Sequence, residues 1–191
     1  MTSQTSPRGV FRSWCASSVI LTVTLLCAAD AAAQPNPQDL TAAMDVPSAA
    51  IESATLAAQG TGASVRVVSK WGSGNLPRQG STMLVLSTGH AADPSMPGFV
   101  APVPGTNFVS TTADPFPSAA FSAGCDAPDG NVNDLTVLRV QVRAPAGATA
   151  LKFDHNFFTS EYPEWICSSY NARFVAHQQS GAFTGNVAFD S

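Results

Sequence analysis

Asp154, Glu161 and Glu164 bring three carboxylates close together in the chain, and Asn171 adds an amide oxygen a few residues later. Hard oxygen donors gathered on a loop are what Ca²⁺ takes, about six to eight of them, with backbone carbonyls completing the set. The competing reading is structural, with Glu161 and Glu164 capping a turn or standing solvated beside Tyr162 and Trp165. Paired glutamates are also the machinery of glycoside hydrolysis, one as acid and the other as base or nucleophile. On a strand, positions 161 and 164 would point to opposite faces, so only a tight turn would unite them. The aromatics Tyr162, Trp165 and Tyr170 can stack on sugar rings as a lectin surface would, or pack around Cys167.

Other residue types offer less. His90, His155 and His177 are the three histidines, and no G-x-S-x-G elbow accompanies them for Ser/His/Asp catalysis. His155 falls on the apolar side of an alternating segment, which predicts a hydrogen-bonded core residue. The acidic stretch from Asp126 through Asp129, Gly130, Asn131 and Asn133 to Asp134 lacks both the D-x-D-x-D-G spacing and a terminal bidentate Glu. An Asp-Gly turn is the better reading.

Residues 1–33 read as a secretory signal peptide: Arg8 and Arg12 at the start, an apolar centre from Val19 to Ala29, and a small-residue cleavage site at Ala31-Ala32-Ala33 before Gln34. The apolar run is shorter than the roughly 20 residues of a membrane-spanning helix. Leu26 before Cys27 disfavours lipid attachment, which wants a small residue there. The mature chain, 34–191, is then a single domain, secreted or displayed on a cell surface, with no transmembrane helix. It keeps two of the four cysteines, Cys125 and Cys167. In an oxidising compartment these read as a disulfide, and closing their loop would contribute about 3 to 4 kcal/mol. Two buried thiols are the alternative; zinc is disfavoured because neither cysteine has a second ligand at metal spacing.

Composition agrees with export. Only 12% of residues are charged while 45% are hydrophobic, so the chain folds rather than staying disordered, with a surface of Ser, Thr, Asn, Gly and small apolar residues. Nine basic against thirteen acidic side chains, with no Lys/Arg run, argue against nucleic-acid partners.

The elements that must position these groups are mostly strands. Over 134–143, Leu138, Val140 and Val142 alternate with Arg139, Gln141 and Arg143. After the turn at 144–147, residues 149–158 place Leu151, Phe153, His155 and Phe157 together, predicting a hairpin or a neighbouring pair. Short strands are also expected at 64–69, 82–87 and 172–178. Residues 39–44 suit a short helix, and 51–56 either extends it or forms a strand, with Pro47 interrupting any single long helix. Residues 88–124, with six prolines, form a long ordered loop. The pattern predicts an all-β, antiparallel β-sandwich with a short N-terminal helix and a long Pro-rich loop.

The stretch from Phe153 to Phe174, FDHNFFTSEYPEWICSSYNARF, resembles the signature of the choice-of-anchor L domain of bacterial exported proteins. Phe153, Asp154, Ser160, Glu161, Tyr162, Pro163, Glu164 and Asn171 match the family's F-D-F type strand end, its S-E-(E)-Y-P-E turn and its N-D pair, with Ala172 where the family usually carries Asp. DLTAAM, IESATL and MLVLSTG resemble its helix, first strand and L-x-T-G strand end. The resemblance implies a secreted or surface-displayed β-rich module without established catalytic activity and identifies no ligand; we read it as an interaction or adhesion module whose partner is an unknown extracellular protein or glycan. Ala172 weakens the calcium reading, since a family carboxylate is missing. The family pattern runs on through further strands, so a chain ending at Phe189-Asp190-Ser191 reads either as truncated or as naturally short.

Overall fold

The computed structural model describes residues 35–58, 60–101, 108–116, 130–165, 168 and 172–188, and the following statements concern these. The helix α1, Pro37–Ala43, starts where the Asn36 side chain accepts from the Asp39 amide at 3.0 Å and Pro37 supplies a preset φ. It stops at Met44, and Asp45 turns the chain away with φ 56°. After a 3-10 turn at Ser48–Ala50 the chain enters β1, Ile51–Ala58. The strand alternative thus holds for 51–56, in line with β-branched Ile51 and Thr55.

Seven further strands follow: β2 Val65–Val68, β3 Met83–Leu86, β4 Thr111–Ala113, β5 Asn131–Asn133, β6 Val137–Val142, β7 His177–Gln179 and β8 Thr184–Asn186. They pair antiparallel as β1 with β6, β2 with β3, β4 with β5, and β7 with β8. The architecture is therefore mainly β and antiparallel with a short amino-terminal helix. Among the described residues these are four separate two-stranded sheets, and no ladder closes them into a sandwich.

The core lies where α1 packs against β1, β2 and β3. Leu40, Ala43, Ala54, Val65, Val68, Ala91 and Ala92 are its buried apolar side chains, and most are small. Close backbone approach does the rest: Ser64, fully buried, donates its hydroxyl to Thr61 O at 2.9 Å, and Ala91 N donates to Ala63 O at 2.7 Å. Gly60 lies against the backbone of Asp134, where an added Cβ would stand 2.5 Å from the Asp134 carbonyl oxygen.

Several expectations fail. Residues 149–158 form no ladder; β6 pairs instead with β1, from Ile51 opposite Val142 to Ala58 opposite Val137. The longer strand offers the longer ladder, and its end is tied by the Arg143 amide on Ala50 O at 2.7 Å and by the Arg143–Glu52 ion pair at 2.6 Å. With no sheet to cover it, the alternating segment is exposed, so His155 is not a core residue. Its ring stacks on Phe174 at 4.6 Å and leans on Phe153 at 5.7 Å. The expected strand at 172–178 shrinks to His177–Gln179, while β4 arises inside the Pro-rich region because β5 pairs with it. No helix among the described residues is long and apolar enough to cross a membrane.

Candidate functional site

The turn at 161–165 is the centre of the region singled out by chemistry. Glu161 opens it by donating its amide to Thr159 Oγ1 at 3.0 Å, and Trp165 N closes it on Glu161 O at 2.9 Å. The Tyr162–Pro163 peptide bond within it is cis. Glu161 is half-buried, and its Oε2 accepts from the Ala172 amide. Burial pushes its carboxyl above the ordinary value of 4.5, with the Ala172 amide pulling the other way. Thus Glu161 meets the position 172 backbone, where alanine offers an amide donor and no carboxylate.

The other candidates are placed differently. Glu164 is exposed in the same turn, and Asp154 lies on the ladder-free segment with Lys152 Nζ at 3.8 Å from its Oδ1. Tyr162 is 72% exposed, whereas Trp165 is half-buried and its carbonyl accepts from Ser168. Among the described residues no group of three or more His, Cys, Asp or Glu side chains is disposed to hold a metal ion. Asn171, Tyr170, Cys125, Cys167 and residues 1–33 lie outside the described residues, as do Asp126 and Asp129.

The turn is braced from the Pro-rich side. Arg173 Nη2 meets Asp114 Oδ2 at 2.5 Å, in a pair whose carboxylate side chain is only 3% exposed, and Asp114 Oδ1 accepts from the Phe116 amide at 2.8 Å. Phe116 in turn contacts the His177 ring, with centroids 5.0 Å apart. The chain just after β4 is therefore linked to the segment that carries Ala172 and Phe174.

Asp134, read in the sequence only as the end of an acidic turn stretch, and Asp93, which no motif singled out, organise much of the backbone. Asp134, buried and at φ 49°, accepts the amides of Val109 and Ser110 on Oδ1, each at 2.9 Å. Asp93, also buried, accepts Ser95 N at 2.7 Å and Ser95 Oγ at 2.6 Å on Oδ1, and Gly72 N at 2.8 Å on Oδ2. Asp93-Pro94-Ser95 is an Asx-turn signature, and that signal was available in the sequence. The bond to Gly72 was not, because it joins distant parts of the chain.

Comparison with protein-family models, with curated proteins and with solved structures gives no match.

Proposed function

We propose that the chain is an exported, non-catalytic interaction module of the secreted or surface-displayed kind, resembling choice-of-anchor L domains, with an extracellular protein or glycan as its partner. The observation that carries this reading is the row of exposed large apolar side chains on the ladder-free segment and its turn: Leu151 at 73%, Phe158 at 58% and Tyr162 at 72% exposure. Large apolar side chains left this exposed within one short stretch of chain are what a partner-covered surface supplies. The exposed faces of Tyr162 and of the Phe153, His155 and Phe174 group suit stacking, which supports a glycan as the alternative occupant. The non-catalytic part rests on the carboxylates: Glu161 spends an oxygen on a backbone amide and Asp154 faces Lys152.

The test uses the chain from Gln34 onward, labelled and titrated onto intact cell surfaces and onto a glycan array, beside L151S/F158S/Y162A. Saturable binding lost in the variant at unchanged melting temperature supports the module. Array signal lost with Tyr162→Ala alone assigns a glycan. Polysaccharide turnover abolished by Glu161→Gln, or wild-type binding to neither surface, overturns the reading. Amino-terminal sequencing of exported protein, expected to start at Gln34, checks the compartment.

A further inference from the structure

Away from that turn, a cleft of about 610 Å³ lies between β2 with its continuation and the loop after Asp93, lined by Arg66, Val67, Val68, Ser69, Lys70, Ser95, Met96 and Pro97. Its far wall is tied by hydrogen bonds. Asp93 ties the loop to Gly72, the turn beyond is closed by Trp71 and Asn75 bonding to each other through their backbones, and Met96 N donates to Asp93 O at 2.9 Å. Arg66 Nη2 donates to Pro97 O at 3.0 Å across the opening.

The lining has a definite chemistry. Arg66 and Lys70 are its two charged side chains, in a chain whose net charge is -4. Only one of the five donors of the Arg66 guanidinium is engaged among the described residues, and Lys70 makes no hydrogen bond or ion pair there. Asp93 is the nearby anion, kept ionised by three neutral donors, and its single negative charge stands against two cations, which leaves one uncompensated. Arg66 brings a guanidinium fork and Lys70 an ammonium to the same lining, and each is a group that pairs with a carboxylate. Ser95 spends its hydroxyl proton on Asp93, which leaves lone pairs that accept from a ligand hydroxyl. Val67, Met96 and Pro97 supply an apolar floor for the CH faces of a ring. The volume lies in the range of small-ligand sites, about 300 to 1,000 Å³.

We infer that this cleft is a binding site for a hydroxylated carboxylate, an acidic sugar residue, with Arg66 and Lys70 holding the carboxylate and Ser95 accepting from a hydroxyl. The site is independent of the exposed turn surface proposed above, and neither stands or falls with the other.

The experiment is calorimetry and ¹H–¹⁵N amide shift mapping on the chain from Gln34, with digalacturonate as probe, neutral galactobiose as the charge control and inorganic phosphate as the charge-only control. Digalacturonate should bind saturably, shift the amides of Ser69, Lys70, Ser95 and Met96, and weaken about tenfold in Lys70→Gln, as expected for loss of one charge-assisted contact. Among the described residues Lys70 makes no hydrogen bond or ion pair and acts on Asp93 only through space, so this variant should melt close to wild type; Arg66→Gln, which keeps an amide donor for Pro97, is the second. Absence of digalacturonate binding overturns the inference. So does equal affinity in both variants, equal affinity for galactobiose, or phosphate binding as tight as the sugar acid.

Discussion

Replacing Asp134 by alanine removes the one acceptor that holds the backbone at Val109 and Ser110 beside β4. Both amides donate to the same oxygen at 2.9 Å, and the Ser110 hydroxyl approaches it at 3.4 Å. Hydrogen bonds to a charged group are worth about 1.5 to 3 kcal/mol each, so losing two predicts a loss of about 3 to 5 kcal/mol for Asp134→Ala. Asparagine retains the oxygen and tolerates the left-handed backbone at φ 49°, so Asp134→Asn should lose only about 1 kcal/mol. Glycine relieves that conformation without restoring the acceptor and should fall about 1 kcal/mol short of the alanine loss. Urea unfolding is the assay. With a slope of about 2 kcal/mol/M, the alanine variant should lose roughly 1.5 to 2.5 M in midpoint, and amide exchange at Val109 and Ser110 should accelerate. If Asp134→Ala unfolds within about 0.5 kcal/mol of wild type, or asparagine is as damaging as alanine, the bonds are not what holds this segment.

The Ser95 hydroxyl first, then the Gly72 and Ser95 amides, hold the Asp93 carboxyl below its ordinary 3.8, so its contribution is complete above that pH and fades as the pH falls through and below it; Asp93→Ala should flatten the acid limb of a melting-temperature profile. Glu161 shifts the other way, upward from 4.5, so stability should decline as pH rises from 4.5 through the folded value, and Glu161→Gln should remove that decline. The same variant tests the calcium reading of Asp154, Glu161, Glu164 and Asn171: a wild-type melt higher in millimolar CaCl₂ than in EDTA, with a much smaller gap for Glu161→Gln, would support it, and identical wild-type melts exclude the ion. Gly60→Ala would force a Cβ to within 2.5 Å of backbone at Asp134 and should cost about 1 to 3 kcal/mol by denaturant unfolding, whereas Gly74→Ala, with open space around it, should cost far less. Thiol blocking followed by intact mass should show Cys125 and Cys167 unmodified until reductant is added; two alkylated cysteines beforehand would exclude the disulfide.

Much of the secondary structure could be read locally. The alternation of Leu138 and Val140 with Arg139 and Gln141 is the burial pattern of β6, the apolar runs around 65–68 and 83–86 pair as β2 and β3, and Asn36-Pro37 starts the helix. The short strands β4, β5 and β8 carry too few apolar residues to show a period, and they exist because a partner is present. Of the candidate site, the turn itself was legible from Glu161-Tyr162-Pro163-Glu164, but the contact of Glu161 with Ala172 was not.

What the sequence determined by itself is thus the set of local conformations, because periodicity, β-branching, caps and turn residues act over a few neighbours. Residues 149–158 mark the limit: Leu151, Phe153 and Phe157 alternate as well as β6 does, yet they stand exposed. Only the tertiary structure decided that, since β6 has one β1 to pair with and alternation says that a face is apolar, not what covers it. The cleft between Arg66 and Pro97 and the seat of Asp134 were decided the same way, by hydrogen bonds between residues far apart in the chain, whose meeting depends on where every intervening element has packed.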